Sequence, residues 1–391
     1  MSPPARPLNI VHLFRAPLGG LFRHVVDLTR GQHARGHRVG IVCDTLTGGE
    51  RAEKALADLM PCLALGLLRT PMSRHGSWRD LAALRDVSRR INALKTDVVH
   101  GHGAKGGAYA RFAPARRGAI RVYTPHGGSL NYDHATAVGK FYLAVERLLM
   151  QRGDVYTFES AYSADVYRDK IGTPRGIVRV VHNGVSEAEF EPVGSAGDAT
   201  ELVFLGEFRP AKGIDTLFDA LILLLKGGRR VSVTLVGDGP DMPAMRAQIA
   251  RHNLAASIRI FSPMPAREAL ALGRIMVVPS HAESLPYVVL EAAAAGKPLI
   301  VTRVGGLPEI YGPLSDNLVP ARDAAALASA IARTLDDCPV AERLAAELRE
   351  RVSSGFSLNS MVEGVLEAYE AGLAVKTAGV NDVSTVAIRL S

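Results

Sequence analysis

Short apolar runs, each followed by a turn and then a longer segment with helical spacing, recur along the chain, and the series starts twice. In the first half, residues 8–14, 39–43, 62–67, 97–100, 121–124 and 155–158 read as strands rich in Val, Ile, Leu or Tyr. Between them lie helical patterns, among them one that opens at Gly19-Gly20 and runs to about Arg30, and one over 81–94. Strands joined through helices must pair in parallel, with helices over both sheet faces. The second series has strands at 202–205, 231–236, 258–261, 275–278 and 298–301, with helices over 214–225, 242–252 and 288–295. The expectation is therefore α/β: two Rossmann-like domains with parallel sheets, facing each other across a cleft.

The boundaries follow from composition. Residues 1–185 form the first domain, and the polar Gly-, Pro- and Ser-containing stretch 186–200 reads as a linker. Residues 201–355 form the second domain. A helix over 356–375, with Met361, Val365, Leu366 and Tyr369 on one stripe, is expected to pack back on the first domain, ahead of a tail at 376–391.

Bulk properties narrow the class. With 47% hydrophobic and 22% charged residues in 391, the chain reads as globular and not disordered. Three cysteines without a CxxC give neither a disulfide framework nor the usual structural zinc site, so a cytoplasmic protein is expected. The opening residues lack the apolar core of a signal peptide, and no uncharged apolar run is long enough to span a bilayer. The net charge of +7 divides unevenly, +11 over residues 1–190 and −4 over the remainder. The first half is thus the one expected to meet an anion, whether a membrane surface or a phosphate-bearing substrate. Few aromatics and no recognisable nucleic-acid module argue against nucleic acid.

The most informative stretch is Pro279–Gly296, PSHAESLPYVVLEAAAAG. Glu283 falls in a loop after a strand, and Glu291 in the helix that follows. An ionised carboxylate accepts two hydrogen bonds at once, so either can grip a sugar diol. Upstream, Arg209 and Lys212 lie in one turn after another strand. Cations placed there can stabilise the charge that develops on a departing diphosphate. Gly19-Gly20 lets backbone approach a phosphate or sugar at a helix start, without forming a GxGxxG dinucleotide fingerprint. His126, in TPHGG past a strand end, is a group that can exchange a proton near neutral pH. His100 and His102 are two apart, but the sequence offers no clear third ligand. They read as a strand-end hydrogen-bonding residue and a loop residue, with no metal. No Asp-x-Asp stands at a strand end, and no cofactor beyond the substrate is called for.

The block Glu283–x7–Glu291 resembles the signature of the family-4 retaining glycosyltransferases of GT-B architecture. The resemblance extends to LGEFRPAKG at 205–213, VGDGP at 236–240, HNGV at 182–185, VGGLPE at 304–309, and in the first half to Gly19-Gly20, DVVH at 97–100 and TPHG at 124–127. It implies an enzyme moving a sugar from a nucleoside-diphosphate sugar to an acceptor hydroxyl. It implies catalytic roles for His126, Arg209, Lys212 and Glu283. The donor would meet Gly19, Gly20, Gly206, Arg209, Lys212, Met264, Glu283, Ser284, Leu285 and Glu291, with the base near 262–264 and the ribose on Glu291. His102 and Tyr132 would lie on the acceptor side. The expected acceptor is a lipid-linked glycan, docked where Lys140, Arg147 and Arg152 surround the apolar run 141–143 at an anionic membrane. GT-B architecture also serves sugar-nucleotide epimerases and binding proteins. The carboxylate block with Arg209 and Lys212 favours the transferase.

Overall fold

A computed structural model describes residues 6–73, 79–114 and 116–379. The chain divides into two compact units, one made of residues up to His182 together with those from Leu358 on, the other of Asn183–Ser357.

The first unit holds a seven-stranded sheet: β1 (Asn9–Leu13), β2 (Arg38–Asp44), β3 (Gly66–Thr70), β4 (Val98–His102), β5 (Ile120–Thr124), β6 (Val155–Phe158) and β7 (Ile177–Val180). All pairings are parallel, in the order β3-β2-β1-β4-β5-β6-β7. The direction of winding therefore reverses between β1 and β4, the place where such sheets open a crevice at their strand ends.

Side-chain alternation splits the residues of these strands between the two faces. Val11, Leu13, Val42 and Val99 pack under the helices Arg79–Ala93 and Gly103–Phe112. Ile10, Val98, Ile120, Val122 and Val155 face the helices Gly19–Ala34 and Leu358–Ala378. That last helix buries Met361, Val362, Val365, Leu366 and Tyr369 here, side chains worth roughly 1.5–3 kcal/mol each when fully buried. On the same face, toward the carboxyl ends of the strands, the rows turn polar at His12, His100, His102, Thr124 and Thr157, all buried.

The second unit holds five parallel strands, β8 (Thr200–Leu205), β9 (Val233–Val236), β10 (Ile258–Phe261), β11 (Gly273–Val278) and β12 (Leu299–Val301). Their order is β10-β9-β8-β11-β12, so the winding reverses between β8 and β11. Leu202 and Phe204 pack toward the helix Ile214–Lys226, and Val203 toward Tyr287–Ala294 and Cys338–Gly355.

Several boundaries differ from expectation. The third strand begins at Gly66 and not at residue 62, because Met60–Cys62 closes a 3-10 turn around Pro61. The segment 186–200, read as a linker, is docked on the second unit. Its Glu187–Phe190 turn carries a capping box between Ser186 and Glu189, and the backbone N–H groups of Val193 and Ala196 bond Ala295 and Ala271. Asn183 and Val185 join that unit too, since Asn183 donates to the Leu285 carbonyl at 2.8 Å and the Val185 N–H bonds Phe356. The division consequently falls at His182/Asn183 and at Ser357/Leu358, not at 185 and 355. The final helix begins at Leu358 and ends at Ala378. Most of the expected tail lies outside the described residues.

Candidate functional site

In the second unit the loops after β8 and β11, the two strands flanking the reversal, are tied into one structure. The β8 loop carries Gly206, Arg209 and Lys212, and the β11 loop carries Pro279 through Glu283. Backbone N–H groups of His281 and Ala282 both bond the Ala211 carbonyl, and the His281 ring meets the Thr216 hydroxyl at 2.8 Å. Gly213 sits at φ +65°, and a Cβ there would stand 1.9 Å from the Pro279 carbonyl oxygen, so only glycine allows the loops to come this close. Gly305 does the same from the loop after β12: at φ +57°, an added Cβ would fall 1.7 Å from the Glu283 carbonyl oxygen.

This packing brings Lys212 and Glu283 together. The Lys212 ammonium donates to Glu283 Oε1 at 2.6 Å, and the Ser280 hydroxyl donates to the same oxygen at 2.7 Å. Glu283 Oε2 takes no hydrogen bond among the described residues. The side chains are 16% and 8% exposed, enough to meet a ligand but shielded enough for the charge pair to hold its geometry. The result is a carboxylate with one oxygen fixed and the other open, beside an ammonium with donors to spare.

The other expected donor-binding residues are placed less uniformly. Arg209 is largely exposed and pairs with Glu207 at 3.2 Å, apart from the Lys212–Glu283 pair. Glu291 lies just over a turn into the helix Tyr287–Ala294 and is half-buried. The Ser284 carbonyl accepts from the Gly306 N–H. Met264 is half-buried in the loop after β10 and packs on the core. Leu285 is a core residue, and its carbonyl accepts from Asn183.

The first unit holds a feature the sequence did not disclose. Five of the twelve histidines converge at the reversal between β1 and β4. His12 stands opposite His100 in the β1–β4 register, His102 follows two residues on, His24 comes from the helix Gly19–Ala34, and His126 from the loop after β5. His12 Nδ1 lies 2.9 Å from His102 Nε2, and His102 Nδ1 lies 3.1 Å from His126 Nε2. The far nitrogen of His12 meets Gln32 Oε1 at 2.9 Å. His100 bonds the Tyr369 hydroxyl at 2.6 Å and Thr124 at 2.8 Å. Burial removes the water that would stabilise imidazolium. It lowers His12 to about 4 and His126 to about 3, and holds His100 and His102 well below the usual value. All four are neutral at pH 7.

Two sequence expectations change here. His102 is the last residue of β4 and 1% exposed, not a loop residue, because the strand runs two residues past His100. The ring that reaches outward is His126, half-buried and at φ +48°, a left-handed backbone uncommon for a residue with a side chain. The missing third ligand also exists. His12, His100 and His102 bring ligand atoms within 4.8 Å of one another, as do His24, His102 and His126. Sequence spacing could not reveal this, since the partners come from another strand, a helix and a loop. Gly19 and Gly20 open the Gly19–Ala34 helix as expected, both exposed. Tyr132 stacks on Tyr142 with ring centres 4.6 Å apart.

Comparison with known proteins places the chain in a family. Residues 18–189 match the family model "Glycosyltransferase Family 4", and residues 199–337 match "Glycosyl transferases group 1". A glycogen synthase of Mycobacterium tuberculosis is 27% identical over 388 residues, covering 90% of this chain and 91% of that protein. A D-inositol 3-phosphate glycosyltransferase of Frankia alni is 30% identical over 305 residues, 71% of this chain and 74% of the relative. Among solved structures, sucrose-phosphate synthase of Thermosynechococcus elongatus superposes with a TM-score of 0.76 at 21% identity, covering 95% of this chain and all of that one. No helix among the described residues is long and apolar enough to cross a membrane. With its two Rossmann-like units and the paired loops of the second, the chain belongs to the group 1, family-4 glycosyltransferases and has the GT-B fold.

Proposed function

We propose that this glycosyltransferase moves a sugar from a nucleoside diphosphate to a hydroxyl of a lipid-linked glycan, with retention of anomeric configuration. The observation that carries the donor half is the Lys212–Glu283–Ser280 cluster at the reversal of the second sheet. In this reading Lys212 and Arg209 receive the diphosphate, the open Oε2 of Glu283 takes a sugar hydroxyl, and Glu291 takes the ribose. As the anomeric C–O bond breaks, its electron pair goes to the phosphate oxygen, where the two cations stabilise the new charge. The acceptor oxygen bonds to the oxocarbenium-like carbon on the same face, and its proton passes to the departing phosphate. No carboxylate nucleophile is needed for that route.

The acceptor half rests on the helix Ala137–Met150 of the first unit. Val138, Phe141 and Leu148 are 60%, 63% and 65% exposed and lie along one stripe, with exposed Lys140 and Arg147 beside it. Arg152 lies over the ring of Phe112, itself 39% exposed, which adds to the basic, apolar character of the region. Apolar side chains flanked by cations fit the interface of an anionic bilayer, where a lipid-linked acceptor would reside. The relatives' names refer to different acceptors and do not choose among them.

Two experiments test the reading. The transferred sugar's anomeric configuration, read by proton NMR on the product of a polyprenyl-diphosphate glycan acceptor, should match the donor's, and inversion would overturn the mechanism. At low salt the protein should sediment with phosphatidylglycerol vesicles and not with phosphatidylcholine ones. Equal binding to both, or no loss on changing Phe141 and Leu148 to Ser, removes the membrane from the account.

A further inference from the structure

The imidazoles of the first unit form a chain with a direction. A neutral ring carries one N–H and one lone pair, so each ring-to-ring contact holds one proton, and the choice at one end propagates to the other. Gln32 Oε1 can only accept, so His12 donates to it from Nε2 and keeps a lone pair on Nδ1. His102 must then donate from Nε2 to His12, and keeps its own lone pair on Nδ1. His126 in turn donates from Nε2 to His102. The lone pair left over is on Nδ1 of His126, the outermost ring of the three.

On the other side of the amide, Gln32 Nε2 donates to the Tyr369 hydroxyl at 3.4 Å, that hydroxyl lies 2.6 Å from His100 Nδ1, and His100 Nε2 lies 2.8 Å from the Thr124 hydroxyl. Reversing the His12–His102–His126 branch would require turning the amide and every tautomer along it.

We infer that Gln32, His12 and His102 are positioning residues that hold His126 in its Nε2–H tautomer, so that His126 offers Nδ1 as a hydrogen-bond acceptor to a substrate hydroxyl. The substrate in this statement rests on the transferase reading; the tautomer is a property of the free protein. A hydroxyl meeting Nδ1 must act as donor, so a substrate carrying fluorine in its place loses that contact. The arrangement also competes with metal binding. An ion held by His24, His102 and His126 would need lone pairs on both His102 and His126 where their 3.1 Å contact holds a proton.

The test is nitrogen-15 NMR of histidine-labelled protein at pH 7 without substrate, with resonances assigned by single His→Asn variants. His12, His102 and His126 are all expected as neutral Nε2–H tautomers. In Gln32→Met, which removes the acceptor that sets the direction, His126 should become a mixture of both tautomers, with kcat/KM reduced about 2-fold for an even mixture. An Nδ1–H tautomer or an imidazolium at His126 in the wild type overturns the inference. So does an unchanged His126 signal in a folded Gln32→Met protein, or one equivalent of Zn²⁺ bound with loss of the Nε2 protons. Should Gln32→Met fail to fold, the wild-type spectrum and its Zn²⁺ titration decide. Expected tautomers without turnover on any donor would sink the transferase reading and leave this one standing.

Discussion

Lys212 and Glu283, 71 positions apart in sequence, share one 2.6 Å contact, and Ser280 completes it on the same carboxylate oxygen. Residues expected to grip different parts of a donor are therefore one electrostatic unit. Lys212→Ala should lower kcat/KM by about 10²–10³, the usual cost of removing a preorganised charge from a transition state. Glu283→Gln should cost less in fold stability than in rate. Because the two residues touch, the double variant should lose much less than the sum of the single effects, which a double-mutant cycle in steady-state kinetics measures.

The buried imidazoles make stability depend on pH. His12 has a folded pKa of about 4, below its unfolded value of 6.5, so the unfolded chain binds the extra proton first. Stability is full above about 6.5 and falls as pH drops toward 4. His12 alone should cost about 2 kcal/mol at pH 5, by linkage from those two values. Urea titrations at pH 7 and pH 5 should show a lower midpoint at pH 5, and His12→Asn should narrow the difference by His12's share.

Arg111 and Glu146 form an ion pair with side chains 0% and 4% exposed, at 2.5 Å. The Arg111 guanidinium lies 3.9 Å from the centre of the Tyr123 ring, and Tyr167 donates to the same Glu146 oxygen. Glu146→Ala leaves the cation buried without its partner, and should destabilise the first unit by about 3–5 kcal/mol. The exposed pair Arg168–Asp165 should be worth less than about 1 kcal/mol by the same denaturant assay.

If Arg209 and Lys212 stabilise the departing diphosphate, a divalent ion is not required for that step. Turnover should then persist in excess EDTA. Activity abolished by chelation and restored by Mg²⁺ would reverse this part of the reading.

The doubly wound fold was legible because each strand is a short β-rich run and each crossover has helical spacing. The third strand slipped where Pro61 closes a turn, and the edge strand Ile177–Val180 was not among the expected strands. Arg209, Lys212, Glu283 and Glu291 could each be picked from their segments, but the Lys212–Glu283 contact could not. It depends on Gly213 and Gly305 bringing three loops together. The histidine chain was hidden for a similar reason: His12, Gln32, His102 and His126 come from two strands, a helix and a loop. Its one local signal was a polar residue, His12, inside the apolar run NIVHL, at the same strand parity as His100 and His102 across the sheet. Leu285, in the same segment as Glu283, is held in the core, which its place in the sequence did not show.

On the proposed function, the second unit holds a nucleoside-diphosphate sugar through the Lys212–Glu283 pair. The most direct measurement exposes purified protein to UDP-, GDP- and ADP-sugars, following thermal shift and nucleotide release for the wild type, Lys212→Ala and Glu283→Ala. One donor should raise the wild-type Tm and be slowly hydrolysed, with both variants silent toward it. A donor that stabilises and turns over equally in all three proteins would contradict the account.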